Sequence, residues 1–264
     1  MTTVIPPMMA HYSTGYPDVD AVLADLLAGV EAILGPQLVG LYLDGSLAIG
    51  DFSELSSDID VLVVTENALP DDVVAALGVM HARLGAGATR WGNELEVAYI
   101  RRRALRRFDP DDNHHPCVER GSTEVYRERH EKDWIVHRYV IREHGIALVG
   151  PDPRTLIDPV GADDLRDAVV SILHGWWLPA PACRRVLENP FYRCYAVLTM
   201  CRILYTLEYG TVVSKPVAAR WVQETLDGRW APLIDAARSW SRDLAPDLDE
   251  TLRFIEYTRQ ASER

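Results

Sequence analysis

Cysteine is scarce in this chain. Its four copies, Cys117, Cys183, Cys194 and Cys201, form no C-x-x-C pair. Cys194 and Cys201 sit in an apolar run, the pattern of a reduced, cytoplasmic protein and not of a disulfide scaffold. No uncharged apolar run reaches membrane-spanning length. The opening Met1-Thr-Thr-Val-Ile-Pro-Pro7 lacks a basic region followed by an apolar one, so no signal peptide is expected. Positive charge is also short: 27 Lys and Arg against 39 Asp and Glu give a formal net charge of −12. That balance argues against a nucleic-acid binder, which needs a basic face. It suits a cationic small-molecule partner, which an acidic cleft attracts, although solubility alone also accounts for it. Internal repeats and low-complexity tracts are absent. The expectation is a cytoplasmic monomer with no nucleic-acid or membrane partner.

With 48% hydrophobic residues, 264 residues can build one large domain or two modest ones. Residues 1–17 read as an irregular arm. Asp18 is placed to cap a helix with Val22, Leu23, Leu26, Leu27, Val30, Ile33 and Leu34 at helical spacing, ended by Gly35-Pro36. A strand over Leu38–Leu43, a turn at Gly45-Ser46 and a strand over Asp58–Val64 follow. Pro70-Asp71-Asp72 opens a second helix to about Leu84, and Glu94–Ile100 reads as a third strand. Residues 109–121 read as a loop, Glu131–His144 as a helix and Ile146–Val149 as a strand. The Gly150-Pro151-Asp152-Pro153 turn is the best linker. Beyond it only helices are expected, at about 162–175, 190–209, 215–227, 230–241 and 247–262. The shift in character predicts two domains, 1–155 with an α/β layer and 156–264 all helical.

Chemistry concentrates in the first of these. Asp58 and Asp60 are two apart, so on a strand they leave the same face while Ile59 points to the core. Two adjacent carboxylates repel unless a cation lies between them, and oxygen ligands beside phosphates favour Mg²⁺. Gly45-Ser46 ends the preceding strand, where backbone N–H groups and a hydroxyl can meet a phosphate. Glu96 adds a third carboxylate from the next strand. Glu94 shares its face but precedes the apolar part, nearer the rim. His114-His115-Pro116-Cys117 has no second ligand pair at helical or ribbon spacing, so zinc is not expected there. The Arg101–Arg107 basic run reads as a solvated helix face, with the triphosphate as its functional alternative.

Gly-Ser, Asp-x-Asp twelve residues past the serine, and a strand-borne Glu resemble the signature of the DNA polymerase β nucleotidyltransferase superfamily. The whole chain is similar to the aminoglycoside 3″-adenylyltransferases, the streptomycin/spectinomycin resistance enzymes. That resemblance covers Gly40–Val64, Glu94–Ile100 and roughly 146–240. It implies an α/β (α+β) nucleotidyltransferase domain with a mixed sheet, a helical C-terminal domain, and an active site in the cleft between them. It also implies transfer of AMP from ATP to a hydroxyl, with Mg²⁺ on Asp58, Asp60 and Glu96, and Glu96 as general base.

In the helical half, Phe191–Tyr209 is apolar nearly all round and reads as a buried central helix carrying Arg202. A buried guanidinium needs a partner: an internal one such as Glu208 or Glu224, or a phosphate. Ser214-Lys215-Pro216 reads as an N-cap and first turn, where a lysine opposes the helix dipole unless an anion binds there. The family has an arginine and a lysine at this spacing, both contacting ATP, which implies that role for Arg202 and Lys215. Departures concern the acceptor. Glu188 falls at one acidic drug-binding position, as Glu in place of the family's Asp, Tyr192 stands at the other, and Trp134 and Trp91 are candidates for the aromatic. Three readings stay open: an aminoglycoside adenylyltransferase, a nucleotidyltransferase for another acceptor, or a non-catalytic nucleotide-binding module. Intact Asp58, Asp60 and Glu96 weigh against the last.

Overall fold

The computed structural model describes residues 12–178, 180–226, 228–239 and 245–263. The chain divides into two compact units. The first takes in the residues up to Glu131 together with His137–Pro159, and the second takes in Lys132–Val136 and the residues from Val160 onward.

The first unit runs α1 (Pro17–Leu34), β1 (Leu38–Leu43), α2 (Gly45–Ile49), β2 (Ile59–Thr65), α3 (Asp71–Gly85), β3 (Leu95–Arg101), α4 (Arg102–Leu105), β4 (His114–Val118), β5 (Tyr126–Arg129), α5 (Trp134–His144) and β6 (Ile146–Val149). The first residues of α5 are counted with the second unit. The sheet order is β5-β4-β3-β2-β1-β6. β2 and β3 are parallel and every other pair is antiparallel, so the sheet is mixed. Alternation along the strands sorts its two faces. Leu41 and Leu43, Ile59, Val61 and Val63, and Leu95, Val97 and Tyr99 enter the core formed with α1 and α3. Asp60 and Glu96, paired in register, lie on the other face with Leu62, Val64, Ala98 and Ile100.

Two local expectations are corrected. Asp18 is not the cap of α1: Tyr16 holds that position and Pro17 occupies the first turn, where its fixed φ suits a helix start. The acid that ties down the entry is Asp20, which accepts from the Thr14 N–H (2.8 Å) and the Thr14 and Ser13 hydroxyls. Within 109–121 the chain forms β4, and β5 follows soon after. The residues alternating there are His, Cys and Glu, so hydrophobic periodicity carries no strand signal. Of the arm expected over 1–17, residues 1–11 lie outside the described residues, as do 227 and 240–241 at the ends of two expected helices.

The second unit contains α6 (Ala162–Ile172), a π-helical turn over Leu173–Trp177, α7 (Ala180–Leu187), α8 (Pro190–Tyr209), α9 (Lys215–Thr225), α10 (Ala231–Arg238) and α11 (Leu248–Ser262). α8 is its hub, packing against α6, α7, α9, α10 and α11. Ala196, Val197, Met200, Cys201 and Ile203 are its buried residues at the centre. α7 was not expected, since Pro179 and Pro181 mask a helical pattern. No strand occurs among the described residues of this unit. No described helix is long and apolar enough to cross a membrane.

Candidate active site

β1 delivers the chain into a tight turn against β2. The Asp44 N–H donates to the Asp60 carbonyl at 3.0 Å. Gly45 then adopts φ +56°, and a Cβ placed on it would overlap the Asp60 carboxylate. Only glycine meets both demands at once, the left-handed backbone and the close approach. Ser46 follows in α2, with a buried Oγ that has no hydrogen-bond partner among the described residues. An orphaned buried hydroxyl is costly, and a bound phosphate oxygen would satisfy it. The Asp44 carboxylate, itself buried, meets His137 Nδ1 of α5 at 2.8 Å.

Asp58, Asp60 and Glu96 each bring one carboxylate oxygen within 4.8 Å of the others. The parallel β2–β3 register sets Asp60 directly beside Glu96. Burial raises the Asp60 pKa well above the usual carboxylate range, and the negative charges of Asp58, Glu96 and Asp44 raise it further, opposed by His137. Glu96 is raised too, first by burial and then by Asp58, while a hydrogen bond with Asp60 and the His137 charge pull the other way. Three half-buried carboxylates at this spacing are in conflict until a cation joins them. An all-oxygen donor set fits a hard divalent ion. Glu94 is used differently: it pairs with Arg120 Nε at 2.6 Å and with Arg90 at 3.9 Å. Arg120 also reaches Asp58, at 3.9 Å, and so flanks the cluster.

The first unit thus assembles Gly45, Ser46, Asp58, Asp60 and Glu96 at one edge of the β1–β2–β3 face. Arg202, Lys215 and Glu188 belong to the second unit. Arg202 lies mid-α8 and is half-buried, less enclosed than the apolar helix predicts. Neither Glu208 nor Glu224 forms an ion pair with it among the described residues. Lys215 opens α9 with its Nζ 4.2 Å from the Tyr195 ring centroid. Ser214 holds the N-cap position, yet its hydroxyl makes no capping bond. Glu188 is exposed in the turn before α8, and Tyr192 is exposed on the first turn of α8. Trp91 is removed from the aromatic candidates: it is buried in the core, 5.4 Å from the Phe52 ring. Trp134 begins α5, half-buried. The basic run is largely spent on acids, Arg101 on Asp112, Arg102 on Glu66 and Arg106 on Asp158.

Three residues at the site were missed by the sequence reading. Asp44 had a signal, standing directly before Gly45-Ser46. His137 and Arg120 had none, because only the tertiary fold brings them beside the carboxylates.

A model of the nucleotidyltransferase domain matches residues 27–140, and a model of the aminoglycoside adenylyltransferase C-terminal domain matches residues 155–259. An aminoglycoside (3'') (9) adenylyltransferase of Shigella flexneri is 28% identical over 261 residues, 92% of this chain and 94% of that protein. A spectinomycin 9-adenylyltransferase of Staphylococcus aureus is 27% identical over 235 residues, 84% of this chain and 85% of that protein. The crystal structure of a spectinomycin adenyltransferase from Enterococcus faecialis, solved with ATP and spectinomycin, matches with a TM-score of 0.69 at 17% identity. The match covers 92% of this chain and 99% of that one. At that identity the match establishes a shared fold.

Proposed function

We infer, for a chain that belongs to the aminoglycoside adenylyltransferase family, transfer of AMP from ATP to a hydroxyl of an aminoglycoside-type antibiotic, with release of pyrophosphate. The observation that carries the reading is the convergence of Asp58, Asp60 and Glu96 beside the Gly45-Ser46 turn. The acceptor oxygen attacks the α-phosphorus, a new O–P bond forms, and the bond to pyrophosphate breaks. Glu96 takes the hydroxyl proton as general base. Asp58, Asp60 and Glu96 would hold Mg²⁺, which when bound neutralises charge on the phosphates. The Ser46 hydroxyl donates to a phosphate oxygen, and Arg202 and Lys215 bind the triphosphate. In phosphoryl-type transfer such positioning and charge neutralisation do most of the work.

The acceptor is a cationic small molecule, and Glu188, exposed before α8, offers a carboxylate to its ammonium groups. Spectinomycin and streptomycin are the first acceptors to try, given the names of the relatives. The four cysteines are free and buried, which suits a reducing, cytoplasmic setting. The test is pyrophosphate release with ATP and Mg²⁺ in the presence of each drug separately. Product mass should rise by one AMP. Absence of drug-dependent pyrophosphate release across an aminoglycoside panel would sink the reading.

A further inference from the structure

A second cluster of ligating side chains lies on the same sheet face, one strand beyond Glu96. β4 and β5 pair antiparallel, with His115 opposite Glu128 and Cys117 opposite Tyr126. Opposed residues share a face, and so do residues two apart. His115 therefore faces Glu128, with Cys117 two residues along β4 and His130 just past the end of β5 on the same face. One ligating atom each from Cys117, Glu128 and His130 fall within 4.8 Å of one another. Cys117 Sγ is 3.2 Å from His130 Nε2, and the His115 and His130 rings are 4.8 Å apart. Burial is nearly complete: Cys117 is 4% exposed, His115 3% and His130 1%. His115 Nε2, buried, has no hydrogen-bond partner among the described residues, an expensive state for a ring nitrogen.

We propose that Cys117, Glu128 and His130 bind a thiophilic divalent cation of the zinc type, with His115 Nε2 as the fourth donor. Tetrahedral zinc takes N, S and O ligands at about 2.0–2.3 Å, which sets its ligand atoms about 3.3–3.8 Å apart. The Cys117, Glu128 and His130 donor atoms need only a small contraction to reach that spacing, and His115, outside that trio, must turn its Nε2 inward to complete it. Donor chemistry separates it from the Asp58–Asp60–Glu96 group: thiolate and imidazole select zinc-like ions, carboxylates alone select magnesium-like ones. On ligation Cys117 releases its proton to solvent and binds as thiolate. The site ties β4 to β5. H-H-x-C lacked a second ligand pair in the linear sequence, and Glu128-x-His130 supplies it across the ribbon.

The test uses the full chain, freed of metal by chelator and dialysis, with no nucleotide present. Titration with Co²⁺ should give sulfur-to-metal charge-transfer absorption saturating at one equivalent, and one equivalent of Zn²⁺ should raise the melting temperature. Cys117→Ser should lose the absorption and the shift, and His115→Gln should weaken Zn²⁺ binding by at least about tenfold. Asp60→Asn should keep both signals, which separates this site from the carboxylate cluster and from the adenylyltransferase reading. The wild-type titration decides without any variant having to fold: no sulfur charge-transfer band at stoichiometric Co²⁺ overturns the site. A band retained in Cys117→Ser, or lost in Asp60→Asn, overturns it equally.

Discussion

The β2–β3 pair and the β4–β5 ribbon both carry side chains able to ligate, on one face of one sheet, and they are built on opposite plans. β2 and β3 are parallel and present three oxygen donors, each half-buried. β4 and β5 are antiparallel and present sulfur, nitrogen and oxygen, with the sulfur and nitrogens buried. The difference follows from charge. Three carboxylates cannot be sealed from water without being neutralised, and all three stay only half-buried. A thiol and neutral imidazoles carry no such debt and can be buried.

The sharpest way to break that comparison is to neutralise the open cluster. Glu96→Gln should lower the rate of AMP transfer by about 10²–10⁴-fold, the usual contribution of a positioned base. Asp60→Asn should lower it by about 10²–10³-fold. In the metal-free protein Asp60→Asn should melt higher than wild type, because it removes the repulsion that raises the Asp60 pKa. Single-turnover kinetics and melting curves read both effects. Wild-type turnover in Asp60→Asn would remove the metal assignment, and a lower melting point would remove the electrostatic one.

A smaller effect is expected from the second unit. Lys215→Ala and Arg202→Ala should each weaken ATP binding by about 10–100-fold, the range of one charged hydrogen bond, and shrink the ATP-induced melting shift. Lys132 and Lys215 are the chain's only lysines. Amine-directed labelling of Lys215, followed by peptide mapping, should therefore slow when ATP and Mg²⁺ are added. Labelling unaffected by ATP would return Lys215 to packing against Tyr195.

pH separates the two regions by sign. In metal-free protein the raised Asp60 and Glu96 pKa values mean that the folded state holds protons the unfolded state has released. Their contribution to stability is complete below the ordinary carboxylate pKa and is lost as pH rises through the raised values. The lowered pKa values of His115 and His130, and of His81 at about 4, act the other way. Below about pH 6.5 the unfolded imidazoles take up protons that the folded ones refuse. Stability from the histidines therefore falls between about pH 6.5 and their lowered values. Asp60→Asn should steepen the acid loss and His81→Gln should shallow it, both read as melting temperature against pH. The same slope in all three proteins would contradict both assignments. The smallest effect belongs to His137→Gln. Its bond to Asp44 involves a ring about two-fifths exposed, so Mg²⁺ affinity should change by less than about fivefold, equivalent to at most about 1 kcal/mol for a partly exposed pair.

What could be read from sequence follows the same division. Asp60 and Glu96 stand out because each sits in an apolar strand, where one charged residue breaks a clear period, and Asp58 directly precedes the first of these strands. The alternation that places Ile59 and Leu95 in the core also places the acids opposite. β4 and β5 lack that frame: their alternating residues are polar, so the strands and the facing pair Glu128-x-His130 had to come from the structure. Arg120 and His137 reach the carboxylates through tertiary contact alone, and local pattern holds no trace of it. Trp91 shows the reverse limit, since an aromatic beside a glycine-rich turn reads equally as a drug-stacking surface and as core. Arg202 was legible by spacing, but its half-exposed setting on an otherwise apolar helix was not.

The turn at Gly45 has a meaning for heredity. Any missense change at that codon puts a Cβ where the Asp60 carboxylate already lies, on a backbone at positive φ. The displaced group is the one that opposes Glu96, while the α1–α3 core lies on the far side of the sheet. A lineage released from selection for AMP transfer can thus lose the activity through one base change at this codon and still inherit the hydrophobic core intact.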